Sequence, residues 1–231
     1  MAFNPKSFTE GAKPLPVLLL LDVSGSMSGE KIVELNKAVR EMIADFKHEA
    51  QMETEIKLSI ITFGGDAAEL QLPFTPVSRI EMVDMEAEGM TPMGDALRQA
   101  KAMIEDKEQT PSRAYRPLVV LCSDGGPNDN WESAMDDFIN NGRSAKCDRM
   151  AMAIGTCADD VVLNKFIQGS QNPLFFAKDA ASLHKFFKFV TMSVTTRKNS
   201  QNPNQVLALP NATQEFGTKK MLEDAGNGFW N

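Results

Sequence analysis

Only two histidines and three cysteines occur among the 231 residues, and that scarcity removes most nucleophile–base and soft-metal chemistry. Cys122, Cys147 and Cys157 form no C-x-x-C pair, and no His/Cys cluster has the spacing of a zinc site. His48 sits on a helical pattern outside any motif and His184 near the polar side of the last one, so both read as surface histidines rather than as bases. The chain has no Gly-rich phosphate loop of the Walker type. Gly25-Ser26-Met27-Ser28-Gly29 carries Met where a nucleophile elbow requires Ser. Long apolar runs are also missing: Met1 to Lys13 has no apolar core, and the run after it is too short for a membrane span or for a signal region with its cleavage site. An odd count of cysteines with no leader fits a reducing compartment, and the expectation is a cytoplasmic protein. Positive charge is short too. Lys and Arg number 24 against 31 Asp and Glu, a net charge of −7, which argues against a nucleic-acid or anionic-membrane partner. Acidic ligands would have to be met through a bound cation.

What the sequence does contain is enough apolar residue, 42%, for one sizeable domain burying roughly 70% of its unfolded surface. Leu15 to Leu21 is a nearly continuous apolar run that reads as a strand buried on both faces. It ends in Asp22-Val23-Ser24-Gly25-Ser26-Met27. Alternation of oxygen-bearing residues with Val23 and Gly25 lets a curled loop turn one carboxylate and two hydroxyls toward a common point. Such a set suits a hard divalent ion, Mg²⁺ in particular, although Asp and Ser are also ordinary turn and capping residues. Two distant pieces bear on the choice: Gly89-Met90-Thr91-Pro92-Met93-Gly94, and Cys122-Ser123-Asp124-Gly125-Gly126-Pro127, which again follows an apolar strand. Thr91 before Pro92 is equally a good helix cap and first-turn pair.

Along the chain, apolar spacing predicts a helix over Glu30 to His48 with Lys31, Glu34, Lys37 and Arg40 on a solvated face. A strand through Ile56 to Phe63 follows, then a turn at Gly64-Gly65-Asp66 and an antiparallel edge strand Ala68 to Leu72 ended by Pro73 and Pro76. Val77 to Gly89 is a short helix or a loop. Helical spacing returns at Met93, Leu97, Ala100 and Ile104, and a second buried strand runs Pro117 to Cys122. Asp129 or Asn130 is placed to cap the helix carrying Trp131, Met135 and Phe138. Strands Met150 to Ile154 and Leu174 to Phe176 alternate with helices carrying Val162 and Phe166, then Leu183 to Val194. This alternation implies an α/β fold, a doubly wound, mostly parallel six-stranded sheet with one antiparallel edge strand and helices on both faces. The expected organisation is an extension over 1–14, a domain over 15–196 and a polar tail over 197–231.

With these motifs in hand, the chain resembles the von Willebrand factor A (VWA) family, whose metal-ion-dependent adhesion site is written Asp-x-Ser-x-Ser, then a distant Thr, then a distant Asp. Asp22, Ser24, Ser26, Thr91 and Asp124 fill those positions. The wording Gly-Met-Thr-Pro-Met-Gly and Ser-Asp-Gly-Gly-Pro-Asn-Asp is most similar to bacterial cytoplasmic VWA proteins associated with tellurium resistance. The resemblance implies a Mg²⁺ site, with Mn²⁺ or Ca²⁺ as substitutes, whose aspartates act largely through waters. The under-neutralised ion then takes an acidic oxygen from a protein partner. It further implies a stress-response complex with kinase-like or phosphatase-like partners, and no catalysis by the chain itself. The alternative is a Mg²⁺-dependent phosphohydrolase using Asp22, but Ser24 stands where such an enzyme places its second Asp.

Overall fold

The computed structural model describes residues 13–49 and 54–204. Strand β1 (Lys13–Asp22) is the centre of the molecule. Its side chains divide by parity between two cores. Leu15, Val17, Leu19 and Leu21 pack on one face with helices α1 (Glu30–Glu49) and α5 (Ala180–Asn199). Leu18 and Leu20 pack on the other with α2 (Met93–Glu105), α3 (Trp131–Asn140) and α4 (Asp160–Phe166). Burial on both faces explains why the run is continuous rather than alternating, each fully buried Leu contributing about 1.5–3 kcal/mol.

The remaining strands are β2 (Thr54–Gly64), β3 (Ala67–Pro76), β4 (Leu118–Ser123), β5 (Asp148–Ile154) and β6 (Leu174–Ala177), in the order β3-β2-β1-β4-β5-β6. Among the described residues only the β2–β3 pair is antiparallel, so the expected doubly wound α/β sheet with one antiparallel edge is what forms. From β1 the chain winds outward through β2 to β3, then crosses to β4 on the other side of β1 and winds outward again. A crevice opens at that reversal, outside the carboxyl ends of β1 and β4. Leu21 is in register with Cys122, which sets Asp22 beside Ser123 at its mouth.

Two stretches differ from the sequence expectation. Strand β3 continues through Pro73 to Pro76, with register irregularities opposite Leu58 to Ile61. An edge strand tolerates proline because its outward N–H has no ladder partner to lose. The undecided segment after it is a single 3-10 turn, Val77–Arg79, and then a loop. That loop is fastened to α1 by the buried Asn36 side chain, whose Oδ1 accepts from the Met85 amide and whose Nδ2 donates to the Met85 carbonyl, both at 2.9 Å. Helix α5 runs past the expected domain boundary at 196/197, with Arg197 and Lys198 buried in its last turn. The expected 1–14 extension, except Lys13 and Pro14, and the tail after Asn204 lie outside the described residues.

Candidate metal centre

At the end of β1 the chain turns sharply, and the turn is held by the carboxylate it delivers. The Ser24 amide donates to Asp22 Oδ1 at 2.9 Å, and the Ser123 hydroxyl donates to Asp22 Oδ2 at 2.5 Å. Asp22 is fully buried. Burial pushes its carboxyl above the ordinary value, overcoming the opposing hydrogen bonds from Ser123 and Ser24, and the neighbouring Asp124 adds to the rise.

A 3-10 turn over Gly25–Met27 then curls the loop back on itself. The Ser24 and Ser26 hydroxyl oxygens come within 3.0 Å of each other, and Ser26 donates to Asp124 Oδ1 at 2.6 Å. Four of the five expected site residues are thus joined, directly or through Ser123, in one hydrogen-bonded cluster spanning the β1 and β4 ends. Residues 101 apart in sequence, Asp22 and Ser123, meet because their strands are neighbours.

Thr91 arrives on a third loop, fixed to the other two by backbone. The Gly25 amide donates to the Gly89 carbonyl at 3.0 Å, and the Glu88 amide to the Val23 carbonyl at 2.8 Å. Gly89 has φ +63°, and a Cβ there would lie 2.5 Å from Gly65 Cα, so only glycine permits this approach. On the other side, the Thr91 amide donates to Asn128 Oδ1 at 2.9 Å and the Asn128 amide to the Thr91 carbonyl at 3.2 Å.

The competing role for Thr91, capping α2, is filled by another residue. Asp129 accepts from the amides of Gly94 and Asp95, each at 2.9 Å, while the residue at the α2 cap position is Pro92, with no side-chain cap bond. Asp129 is therefore a cap, as expected, but of a different helix. The expected cap of α3 by Asp129 or Asn130 is corrected: Asn130 occupies that position without a side-chain bond. The β4–α3 loop is drawn back across the sheet end, which carries Asp129 away from its own helix and onto α2.

Two residues of the cluster escaped sequence reading. Ser123 orients Asp22, and Lys31 is not on a solvated face. Its side chain is buried, and Nζ lies 2.8 Å from Asp124 Oδ2 and 3.3 Å from the Ser26 carbonyl. The signal was in the spacing: Leu35, Ala38, Val39 and Met42 stand four, seven, eight and eleven positions beyond Lys31, on the apolar stripe itself. His184 lies away from the cluster, its two ring nitrogens 2.9 Å from Glu34 and 2.8 Å from Glu41, linking α5 to α1.

Chemically, the cluster offers hydroxyl and carboxylate oxygen with no nitrogen or sulfur donor. Among the described residues no group of three or more His, Cys, Asp or Glu is gathered for a metal. A cation held here would be held by hydroxyls as much as by carboxylates. The residues present fit a hard ion that retains water, since both buried aspartates are already hydrogen-bonded on each oxygen and would meet an ion through the Ser24 and Ser26 hydroxyls and its own waters.

A family model described as von Willebrand factor type A domain matches residues 17–189. Inter-alpha-trypsin inhibitor heavy chain H3 of Bos taurus is 28% identical over 141 residues, which cover 57% of this chain and 15% of that protein. Among solved structures, a von Willebrand factor type A protein from Catenulispora acidiphila has a TM-score of 0.61 at 18% identity, covering 78% of this chain and 42% of that one. Proximal thread matrix protein 1 from the mussel byssus, with a zinc-occupied MIDAS motif, has a TM-score of 0.57 at 16% identity, covering 78% and 45% respectively. The chain thus spans less than half the length of each of these three proteins.

Proposed function

Because the chain belongs to the von Willebrand factor type A family, we propose that it is a metal-dependent protein-interaction module that holds Mg²⁺ through Asp22, Ser24, Ser26, Thr91 and Asp124 and presents it to an acidic residue of a partner protein. The observation that carries this reading is the convergence of buried Asp22, Ser24 and Asp124 with Ser26 at the strand-order reversal, with Thr91 on the adjoining loop released from capping by Asp129. An all-oxygen set favours Mg²⁺ over zinc, which prefers nitrogen and sulfur, and Mn²⁺ or Ca²⁺ would be the natural substitutes. The ion supplies an open position of positive charge, and the chain supplies the rigid oxygens beneath it. Backbone ties among the three loops fix their spacing before any ligand arrives, so little ordering cost remains at binding.

The reading extends to a cytoplasmic bacterial stress-response complex of the tellurium-resistance kind, with kinase-like or phosphatase-like partners. It is supported by the wording around the motifs, the acidic composition and three free thiols. Among the described residues no helix is long and apolar enough to cross a membrane. Phosphohydrolase chemistry at Asp22 is disfavoured because the carboxylate is fully buried and both its oxygens are engaged, leaving no accessible nucleophile. Purified protein should therefore leave a generic phosphomonoester intact in Mg²⁺.

Capture of partners from lysate on immobilised protein, in Mg²⁺ or in EDTA, tests the proposal. The expected result is a partner retained in Mg²⁺, lost in EDTA and lost with Asp124→Ala. Retention at full strength in EDTA would end the metal-bridge reading, and phosphatase turnover that vanishes in Asp22→Asn would replace it with the enzyme.

A further inference from the structure

Asp22 and Asp124 set two buried carboxylates side by side at the ends of β1 and β4, and α1 brings one ammonium to meet them. Lys31 is 6% exposed, its ammonium lies 2.8 Å from Asp124 Oδ2, and it also touches the Ser26 carbonyl at 3.3 Å. Ser26 occupies Asp124 Oδ1 at 2.6 Å, so the other oxygen of that carboxylate faces a built-in cation. This ion pair is placed inside the site rather than on the surface, where such pairs contribute little and are screened.

Charge arithmetic gives the pair a purpose. The aspartates with Lys31 sum to −1. A dication therefore leaves the loaded site at +1, whereas the same site without Lys31 would be neutral. We propose that Lys31 is a specificity-determining residue: it lowers the resting affinity for the dication and in exchange makes the loaded site electrostatically incomplete until an anionic oxygen closes it. The inference rests on the reading of the cluster as a metal site and adds to it the selection of a carboxylate over a neutral ligand. Lysine suits the task because its ammonium is a compact point charge that a single carboxylate oxygen can hold.

The proposal makes two effects of one substitution run in opposite directions, which loss of structure cannot do. Lys31→Gln replaces the ammonium with a neutral amide that keeps a hydrogen-bond donor but removes the charge. Mn²⁺ and Mg²⁺ affinity, measured by water-proton relaxation and by calorimetry with the metal alone, should rise by about tenfold or more, given the energy of a unit charge beside a dication at effective dielectric ~20. Acetate binding to the Mn²⁺-loaded protein, read from the fall in relaxation as it displaces bound water, should weaken by about threefold or more, with acetamide binding unchanged. Lys31→Arg keeps the charge and should restore the parent pattern in both measurements. Melting curves in EDTA and in saturating Mg²⁺ establish that each variant is folded. If either affinity fails to move in its stated direction in a folded Lys31→Gln, or if Lys31→Arg behaves like Lys31→Gln, the proposal is overturned. Should Lys31→Gln not fold, Lys31→Arg decides, since an altered acetate-to-acetamide ratio with the charge intact would also overturn it. If the parent protein binds neither metal, the failure belongs to the metal site and takes the role of Lys31 with it.

Discussion

Asp129 accepts hydrogen bonds from the amide of Gly94, 35 residues earlier, so the β4–α3 loop caps the helix that follows the Thr91 loop. The contact clamps together two of the three loops that build the site. It also requires glycine at 94, where a Cβ would lie 2.7 Å from Trp131 Cα and 2.9 Å from the Asn130 carbonyl. Asp129→Ala should cost about 1 kcal/mol, the usual worth of a cap. Thr91→Ala should stay within about 0.5 kcal/mol while abolishing Mg²⁺-dependent binding. Chemical denaturation of both variants decides the matter: a cap-sized loss in Thr91→Ala with binding intact would remove Thr91 from the site.

Asp22 makes the opposite trade. Burial raises its pKa, so the ionised carboxylate is a cost that the fold carries when no cation is present. Asp22→Asn should melt in EDTA at the parent temperature or above it. The parent at a hundredfold excess of Mg²⁺ over Kd should gain about 2.7 kcal/mol, and the variant should gain none. A full Mg²⁺-dependent rise in Asp22→Asn would show that the ion binds elsewhere.

Much of this was legible in the sequence for one physical reason. Strands buried on both faces must be apolar throughout, so Asp22 and Asp124 stand out as the first acidic residues at the ends of such strands. The strand order that makes them neighbours lies in no local pattern, because it is set by the long crossover that returns the chain from β3 to the far side of β1. Lys31 and Asp129 were misread because a charged residue at a helix start is usually solvated or a local cap, and only the tertiary path of the β4–α3 loop and the Asp124 carboxylate change that. Composition alone places Arg197 and Lys198 in a polar tail, yet they form the last buried turn of α5, where Arg197 donates to the Pro203 carbonyl and Lys198 to the Glu49 carbonyl of α1.

The thiols should separate by burial. Cys122 and Cys147 are buried and Cys157 is exposed. Burial pushes the Cys147 thiol up to about 12 and also raises Cys122, with the charge on Asp22 adding to the effect there. The reactive species is the thiolate, and a raised pKa keeps the neutral thiol dominant until the pH passes the raised value. A disulfide reagent at pH 8 should therefore modify one thiol of the native protein quickly and all three in denaturant. Three fast thiols under native conditions would contradict the packing of both buried cysteines.

The last prediction concerns the far end of the sheet. Arg197 is buried, donating through Nε to the Pro203 carbonyl at 3.0 Å and through Nη2 to the Arg116 carbonyl at 2.5 Å. Among the described residues its Nη1 has no hydrogen-bond partner and lies 3.9 Å from Asp148, so the guanidinium depends on the chain that follows it. Asn204 in turn accepts from the Arg116 amide at 2.7 Å, which fastens that chain below the start of β4. Ending the protein after Asn199 removes the Pro203 and Asn204 contacts and leaves a buried charge short of partners, at a cost of about 1–3 kcal/mol. The midpoint should fall by roughly 2–4 °C for each kcal/mol relative to a chain ended after Asn204. Mg²⁺ affinity should be equal in the two, because Arg116 and Asp148 mark the amino ends of β4 and β5 while the metal loops leave the carboxyl ends. Equal melting temperatures would show that residues 200–204 do not support the domain, and a loss of Mg²⁺ affinity without a change in melting would tie that end of the sheet to the site.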